Sequence, residues 1–292
     1  MLIDVILLTI AFVALVAGTI TDIKTREVPD WISFGVIFAG IGIRLIYSTI
    51  TFEWAYLLEG VAGLAIFVVL GYIMFYAGQW GGGDSKLLMG LGALLGFNFS
   101  INSLIIVFTF NALVAGALYG LIYSVVLAII HRKEFGKNFH KLMHSKQIQK
   151  FRKIKLIAFL AILVLIVYVF KDNLMDIFVL LTLIAMLILV YLSFYLVIFV
   201  KAVELSAMYK WIEPDELTEG DWIAKDVIVN KKKIVSHKSL GVEKKQIKQL
   251  IELKKKGKIN QVKVKYGIPF VPSFLAAFIV SVALGAWWLI LI

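Results

Sequence analysis

The stretch QWGGGDSKLL, Gln79 to Leu88, sets three glycines and a carboxylate at the mouth of an apolar segment. An unpaired charge is costly in such a place, and glycine forms helix poorly. Either this is a loop that ends in a helix cap, or the aspartate is there to do chemistry. The sequence around it decides what kind of molecule carries it. Of 292 residues, 61% are hydrophobic and 17% are charged, against about 45–50% and about 25% in ordinary soluble domains. Apolar runs recur along most of the chain, and about 20 helical residues suffice to cross a hydrocarbon core of roughly 30 Å. The sequence therefore predicts an all-α polytopic membrane protein.

Eight segments are candidates for spans: Leu2 to Ile20, Trp31 to Ile50, Tyr56 to Ala77, Lys86 to Phe99, Leu104 to Ile130, Ile154 to Phe170, Leu174 to Val200 and Ile268 to Ile292. The fourth is short and carries glycine. The first has an acidic start (Asp4) and no small-x-small cleavage site before Asp22, so it reads as a retained helix, not a secretory signal. Lys and Arg near helix ends stay on the cytoplasmic side. With the N-terminus outside, inward-facing segments hold 28 of the 30 basic residues, and Arg44 and Lys171 fall on the outer side. The net charge of +11 is thus accounted for by basic loops facing anionic lipid, and does not point to nucleic acid. The absence of Cys removes disulfides, CxxC zinc sites and thiol catalysis together.

The expected organisation is a membrane core over 1–130, a basic cytosolic loop over 131–155, two further spans over 154–200, a cytosolic insert over 201–267 and a last span over 268–292. The insert is polar. WIAKDVIVNKKKIVSH alternates apolar and polar residues about an Asn-Lys turn and reads as a hairpin. GVEKKQIKQLIELKKKGK has Ile247, Leu250 and Ile251 at helical spacing with a Gly257 stop, and INQVKVKYG alternates again. A small α+β insert follows. Gly92 with Gly96, and Gly116 with Gly120, have the spacing that permits close helix contact.

Chemistry is reached by elimination. His131, His140, His144 and His237 all lie in polar segments. There is no HExxH for a zinc protease, no membrane-embedded Ser and His pair, and no glycine-rich nucleotide loop after a predicted strand. His140 and His144 sit four apart among lysines with no carboxylate nearby, so they read as solvated; no metal and no cofactor is expected. Carboxylates remain. Glu53, Asp172 and Asp176 fall at the outer face, Asp4 and Glu59 in the outer parts of their helices, and Glu213, Asp215, Glu216, Glu219 and Asp221 on the insert. The acidic run from Glu213 to Asp221 reads as a solvated surface, with attraction of a basic peptide as the other reading. Asp22, in GTITDIKTREVPDW, and Asp84, in GGGDSKLL, differ from these because the topology brings both to the cytosolic interface. Each could be only a helix-end carboxylate. Gly81, Gly82 and Gly83, however, strip side chains from the backbone before Asp84, which lets another chain come close and allows unusual backbone conformations.

Gly81, Gly83 and Asp84 spell GxGD, continued by Lys86 and Leu87 as GxGDxKL. Asp22, followed by Lys24, Arg26 and then Pro29 leading into the second helix, resembles the other signature of type IV prepilin and preflagellin peptidases. The resemblance covers residues 1 to about 130, and the closing YGIPFVPSFLAAF is similar to the final helix of archaeal members with a soluble insert. Presenilin and signal peptide peptidases share GxGD, but their first aspartate follows Tyr, whereas Thr21 precedes Asp22 here. The chain enters its first helix at once and has no Cys, so the resemblance is to the archaeal-type or peptidase-only branch, and methyl transfer is not expected. The resemblance implies a membrane aspartyl endopeptidase with Asp22 and Asp84 catalytic. It implies substrates that are prepilin or prearchaellin precursors, cut beside a short basic leader at the cytosolic face. Beyond these precursors, membrane lipid is the expected partner. A small ion-coupled transporter with interfacial aspartates, or a non-enzymatic pilus or archaellum assembly factor docking partners on the lysine-rich insert, fits the same features without the resemblance.

Overall fold

Apolar residues on all sides of long helices dictate the architecture, since a helix that is hydrophobic all round must be covered by other helices or by lipid. The structure is a computed structural model that describes residues 2–169, 177–230, 232–237, 239 and 241–291. Ten α-helices are described: α1 (Leu2–Thr25), α2 (Asp30–Thr51), α3 (Trp54–Tyr76), α4 (Gly82–Leu95), α5 (Leu104–Ile130), α6 (Arg132–Met143), α7 (Lys146–Val169), α8 (Ile177–Val203), α9 (Lys244–Lys255) and α10 (Val271–Leu284). Five strands accompany them: β1 (Tyr209–Ile212), β2 (Trp222–Ile223), β3 (Val227–Val229), β4 (Lys232–Val235) and β5 (Val262–Lys265). The protein is thus a polytopic α-helical membrane protein with a small α+β insert. Lys171, Asp172 and Asp176, placed by the sequence at the outer face, lie outside the described residues.

Among the described residues five helical stretches are long and apolar enough to cross a membrane: α1, α2, α3, α5 and Leu180–Met208. The fourth candidate is displaced toward the N-terminus and the eighth is shorter than expected. Helix α4 covers 14 residues and starts at Gly82 instead of Lys86, so it is about 21 Å long at 1.5 Å per residue. Helix α10 also has 14 residues; Pro272 stands in its first turn, and Gly285 ends it at φ 58°. The first is a position that proline favours and the second a conformation that glycine adopts readily.

The chain divides into two compact units, one of residues 1–123 with 212–292 and one of residues 124–211. In the first unit α4 lies against α2 and α3. The contact with α3 is backbone on backbone. A Cβ at Gly63 would stand 2.3 Å from the Gly92 carbonyl oxygen, and one at Gly92 would stand 2.4 Å from that of Gly63. Gly92 therefore pairs with α3, while a Cβ at Gly120 would meet nothing within 4 Å. Leu15, Leu87, Leu91, Phe67, Phe108 and Phe274 are fully buried and form the core between these helices.

The carboxyl end of α4 is closed by a side chain that the sequence places on the outer side. Arg44 of α2 is 3% exposed. Its Nε donates to the Ala93 carbonyl at 3.1 Å, Nη2 to Leu94 at 2.9 Å and Nη1 to Tyr56 at 2.8 Å. The guanidinium also lies 4.4 Å from the Tyr56 ring centroid. A cation at this end satisfies carbonyls that have no helical partner and opposes the helix dipole.

The insert folds on its own small core of Ile212, Leu217, Ile223, Val235, Val242, Leu250, Val262 and Val264. β2 pairs antiparallel with β5, and β3 with β4 as the expected hairpin. In the second unit, Phe135 and Phe139 of α6 stack at 5.6 Å, and Phe135 meets Phe199 of α8 edge-on at 5.3 Å.

Candidate active site

Asp22 sits in the last turn of α1, and Asp84 is the third residue of α4. What brings these helix ends together is the four-residue loop after α1. Arg26 takes φ 59°, and its N–H donates to the Asp22 carbonyl at 2.8 Å, which ends α1 and turns the chain back. Pro29 then serves as the N-cap of α2 at φ −57°, close to the value its ring imposes. Between them Val28 is buried and lies against α4. A Cβ at Gly83 would stand 2.9 Å from the Val28 nitrogen and 3.2 Å from its carbonyl oxygen. A Cβ on Gly18, one turn before Asp22, would stand 3.1 Å from the Leu87 side chain. Bare backbone on both sides thus lets α1 and α4 pack closely, with the end of one that carries Asp22 beside the start of the other that carries Asp84.

The glycine run serves this packing in a way the sequence did not disclose. The space beside Gly83 is taken by the protein's own loop, the nearest atom to a Cβ on Gly82 would be a Phe75 ring carbon at 3.7 Å, and beside Gly81 it would be the Asp84 carboxylate at 3.3 Å. None of the three has a positive φ, whereas Gly78, just before the run, has a φ of 67°. Close approach is the requirement here, and unusual backbone conformation is not.

Both carboxylates are held by backbone amides. Asp22, 3% exposed, accepts from the Val271 N–H at 2.9 Å, at the start of α10 and 249 residues away. Asp84, partly buried, accepts from the Gly81 N–H at 3.0 Å and so caps its own helix. Capping and proximity coexist, because each bond engages one carboxylate oxygen, Oδ2 in both cases.

The supporting basic residues spread outward from the pair. Arg26 donates to the Gly267 carbonyl at 2.8 Å and lies 5.1 Å from the Tyr266 ring centroid. Lys86 forms an ion pair with Asp30 at 2.6 Å, tying α4 to the start of α2. Lys24 is exposed in the last turn of α1. Glu27 accepts from the Thr218 hydroxyl at 3.0 Å, a second tie between the loop and the insert.

The acidic run of the insert is largely engaged internally. Lys254 reaches Glu213 at 2.6 Å and also pairs with Asp215, Lys244 reaches Glu219 at 3.2 Å, and Asp221 accepts the Thr218 N–H at 2.8 Å. His140 and His144 place their rings 4.2 Å apart. Among the described residues no three His, Asp or Glu side chains gather where they could hold a metal. Sequence reasoning missed the Val271 amide at the site and the part played by Arg44 at the opposite end of α4. The paired prolines of IPFVPSF, at 269 and 272, were the available mark of a helix start worth placing.

Residues 9–121, which contain both aspartates, match the type IV leader peptidase family. The preflagellin peptidase of Methanococcus maripaludis is 40% identical over 92 residues, which is 30% of this chain and 37% of that protein. The preflagellin peptidase of Methanocaldococcus jannaschii is 35% identical over 83 residues, 28% of this chain and 35% of that protein. That of Methanococcus voltae is 35% identical over 86 residues, 30% of this chain and 36% of the relative. The chain spans about a third of the length of the curated relatives it matches.

Proposed function

We propose that this protein, whose residues 9–121 match the type IV leader peptidase family and are similar to archaeal preflagellin peptidases, is a membrane aspartyl endopeptidase with Asp22 and Asp84 as its catalytic pair. Its substrates in this reading are prearchaellin or prepilin-like precursors, from which it removes a short basic leader at the cytosolic face. The observation that supports the reading is the meeting of α1 and α4 at bare backbone, beside the end of α1 that carries Asp22 and the start of α4 that carries Asp84. The cytosolic side follows from the basic residues, 28 of 30 of which fall on segments of one side in the eight-span reading.

Two adjacent carboxylates hold one proton between them, because both ionise together only with difficulty. The ionised member removes a proton from water as the water oxygen bonds to the scissile carbonyl carbon. The protonated member donates to the carbonyl oxygen, and a proton passes to the leaving nitrogen as the C–N bond breaks. No methyl donor enters this scheme, and cleavage is expected to proceed without one.

The test is direct. Purified protein incubated with a leader-bearing precursor yields a shortened product whose mass locates the cut before the hydrophobic helix. An intact precursor after prolonged incubation with folded protein would favour a transporter or an assembly factor.

A further inference from the structure

The first turn of α10 lies outside the segment that matches the family, yet it touches Asp22 at the end of α1 and Trp80 just before α4, the helix that carries Asp84. On one side Val271 gives its N–H to Asp22 Oδ2 at 2.9 Å, and the residues before it are pinned to the end of α1 by the bond from Arg26 to Gly267. On the other side Trp80, the residue before the three glycines, packs edge-on against Phe274 at 5.2 Å and lies 6.0 Å from Phe270. Val271 and Phe274 are fully buried and Trp80 is 6% exposed. A third wall comes from α5, where a Cβ on Gly116 would stand 2.6 Å from the Phe270 ring. Nothing in a lipid-packed helix requires its first amide to end on a carboxylate from the far end of the chain. Pro272 already occupies the first turn of α10 and offers no N–H there, so the amide of Val271 is one of few left to point outward.

We propose that the first turn of α10, Phe270 to Phe274, is a positioning element of the active site: the Val271 amide aims the Asp22 carboxylate, and the aromatic contact of Phe270 and Phe274 with Trp80 fixes the GGGD loop against it. The proposal rests on the catalytic reading of Asp22 and Asp84. It adds that the site is completed only when the end of the insert delivers α10 to it.

Because the working group is a backbone N–H, the cleanest variant replaces the Val271 amide by an ester, using the hydroxy-acid analogue of valine, in the full-length protein. Asp22→Asn is measured first, and its inactivity secures the underlying reading; an active Asp22→Asn overturns both. With that secured, the ester at 271 is expected to lower kcat about tenfold or more while KM and thermal stability stay near those of the parent, as the loss of one orienting hydrogen bond predicts. The same ester at Ile279, exposed further along α10, is the control for a weakened helix and is expected to keep kcat. Trp80→Leu supplies a second variant and is expected to lower kcat more than it raises KM, with partial rescue by Trp80→Phe. Parental kcat for the ester at 271 overturns the proposal, and so does a loss equal to that of the ester at 279.

Discussion

Carboxylates at two places in this molecule are treated in opposite ways. In the insert, Asp226 is held by the Lys233 ammonium at 2.5 Å and by His237 through both its ring and its backbone nitrogen; Glu213 and Asp215 share Lys254. In the membrane core, Asp22 faces the backbone amides of Val271 and Phe270 and Asp84 that of Gly81, while Arg26, beside Asp22, gives its guanidinium to the Gly267 carbonyl and the Tyr266 ring. A cation fixes a carboxylate in its charged form. Backbone amides orient the group without supplying a full opposite charge, which is the setting the proposed acid-base chemistry needs. Residue type alone does not distinguish the two settings; the partner does.

The largest expected effect breaks the comparison at the core. Asp22→Asn and Asp84→Asn should each abolish cleavage, and the double variant should be no worse than either single one, since losing one member already ends the shared-proton chemistry. Losses that add in log rate would mean separate roles. Glu27→Gln, on the loop after α1, and Asp30→Asn, at the start of α2, should retain substantial activity.

Next comes the packing that creates the pair. Gly83→Ala puts a methyl group 2.9 Å from the Val28 nitrogen, a backbone atom that cannot step aside alone, whereas the nearest neighbour at Gly82→Ala is 3.7 Å away. Activity measured on both should fall by well over tenfold at position 83 and far less at 82. Equal losses would instead favour passage of substrate along the whole glycine run.

Arg44 sharpens the comparison from the opposite end of α4. Arg44→Gln leaves the carbonyls of Ala93, Leu94 and Tyr56 short of donors in a buried place, at a cost of about 1–3 kcal/mol for each group left unpaired. Thermal denaturation in detergent should show a large loss of stability, while cleavage by the fraction still folded changes little. A specific activity that falls as steeply as the stability would tie this end of α4 to the chemistry.

These cases also show what could be read from the sequence. The apolar runs of α1, α2, α3 and α5 and the hairpin of β3 and β4 were legible because each is encoded locally, by hydropathy or by alternation. The start of α4 was misplaced by four residues because Gly82 and Gly83 are poor helix formers, and Asp84 and Arg44 supply the capping that overrides this. Arg44 read as an outer-side charge since nothing nearby in sequence reveals Gly60 and Gly96, whose bare backbones face its guanidinium. The bond from Val271 to Asp22 spans 249 residues and has no local trace.

The smallest effect tests the insert. The hydrogen bond from Lys233, then those from His237, hold the Asp226 carboxyl well below its ordinary value of 3.8. A carboxyl group lowered in the folded state contributes stability that is fully present above its ordinary value and is lost as the pH falls toward the lowered one. Asp226→Asn should therefore lower the melting temperature of the insert slightly at neutral pH, and the gap between variant and parent should close between about pH 4 and more acidic conditions. The pair is exposed and screened, so the effect should shrink further in high salt. Cleavage should be unaffected, since Asp226 and its partners Lys233, Ser236 and His237 lie in and beside the β3 and β4 hairpin. A cleavage defect in Asp226→Asn with an intact fold would show that the hairpin communicates with the site, and would blur the division between carboxylates fixed by cations and carboxylates oriented by backbone amides.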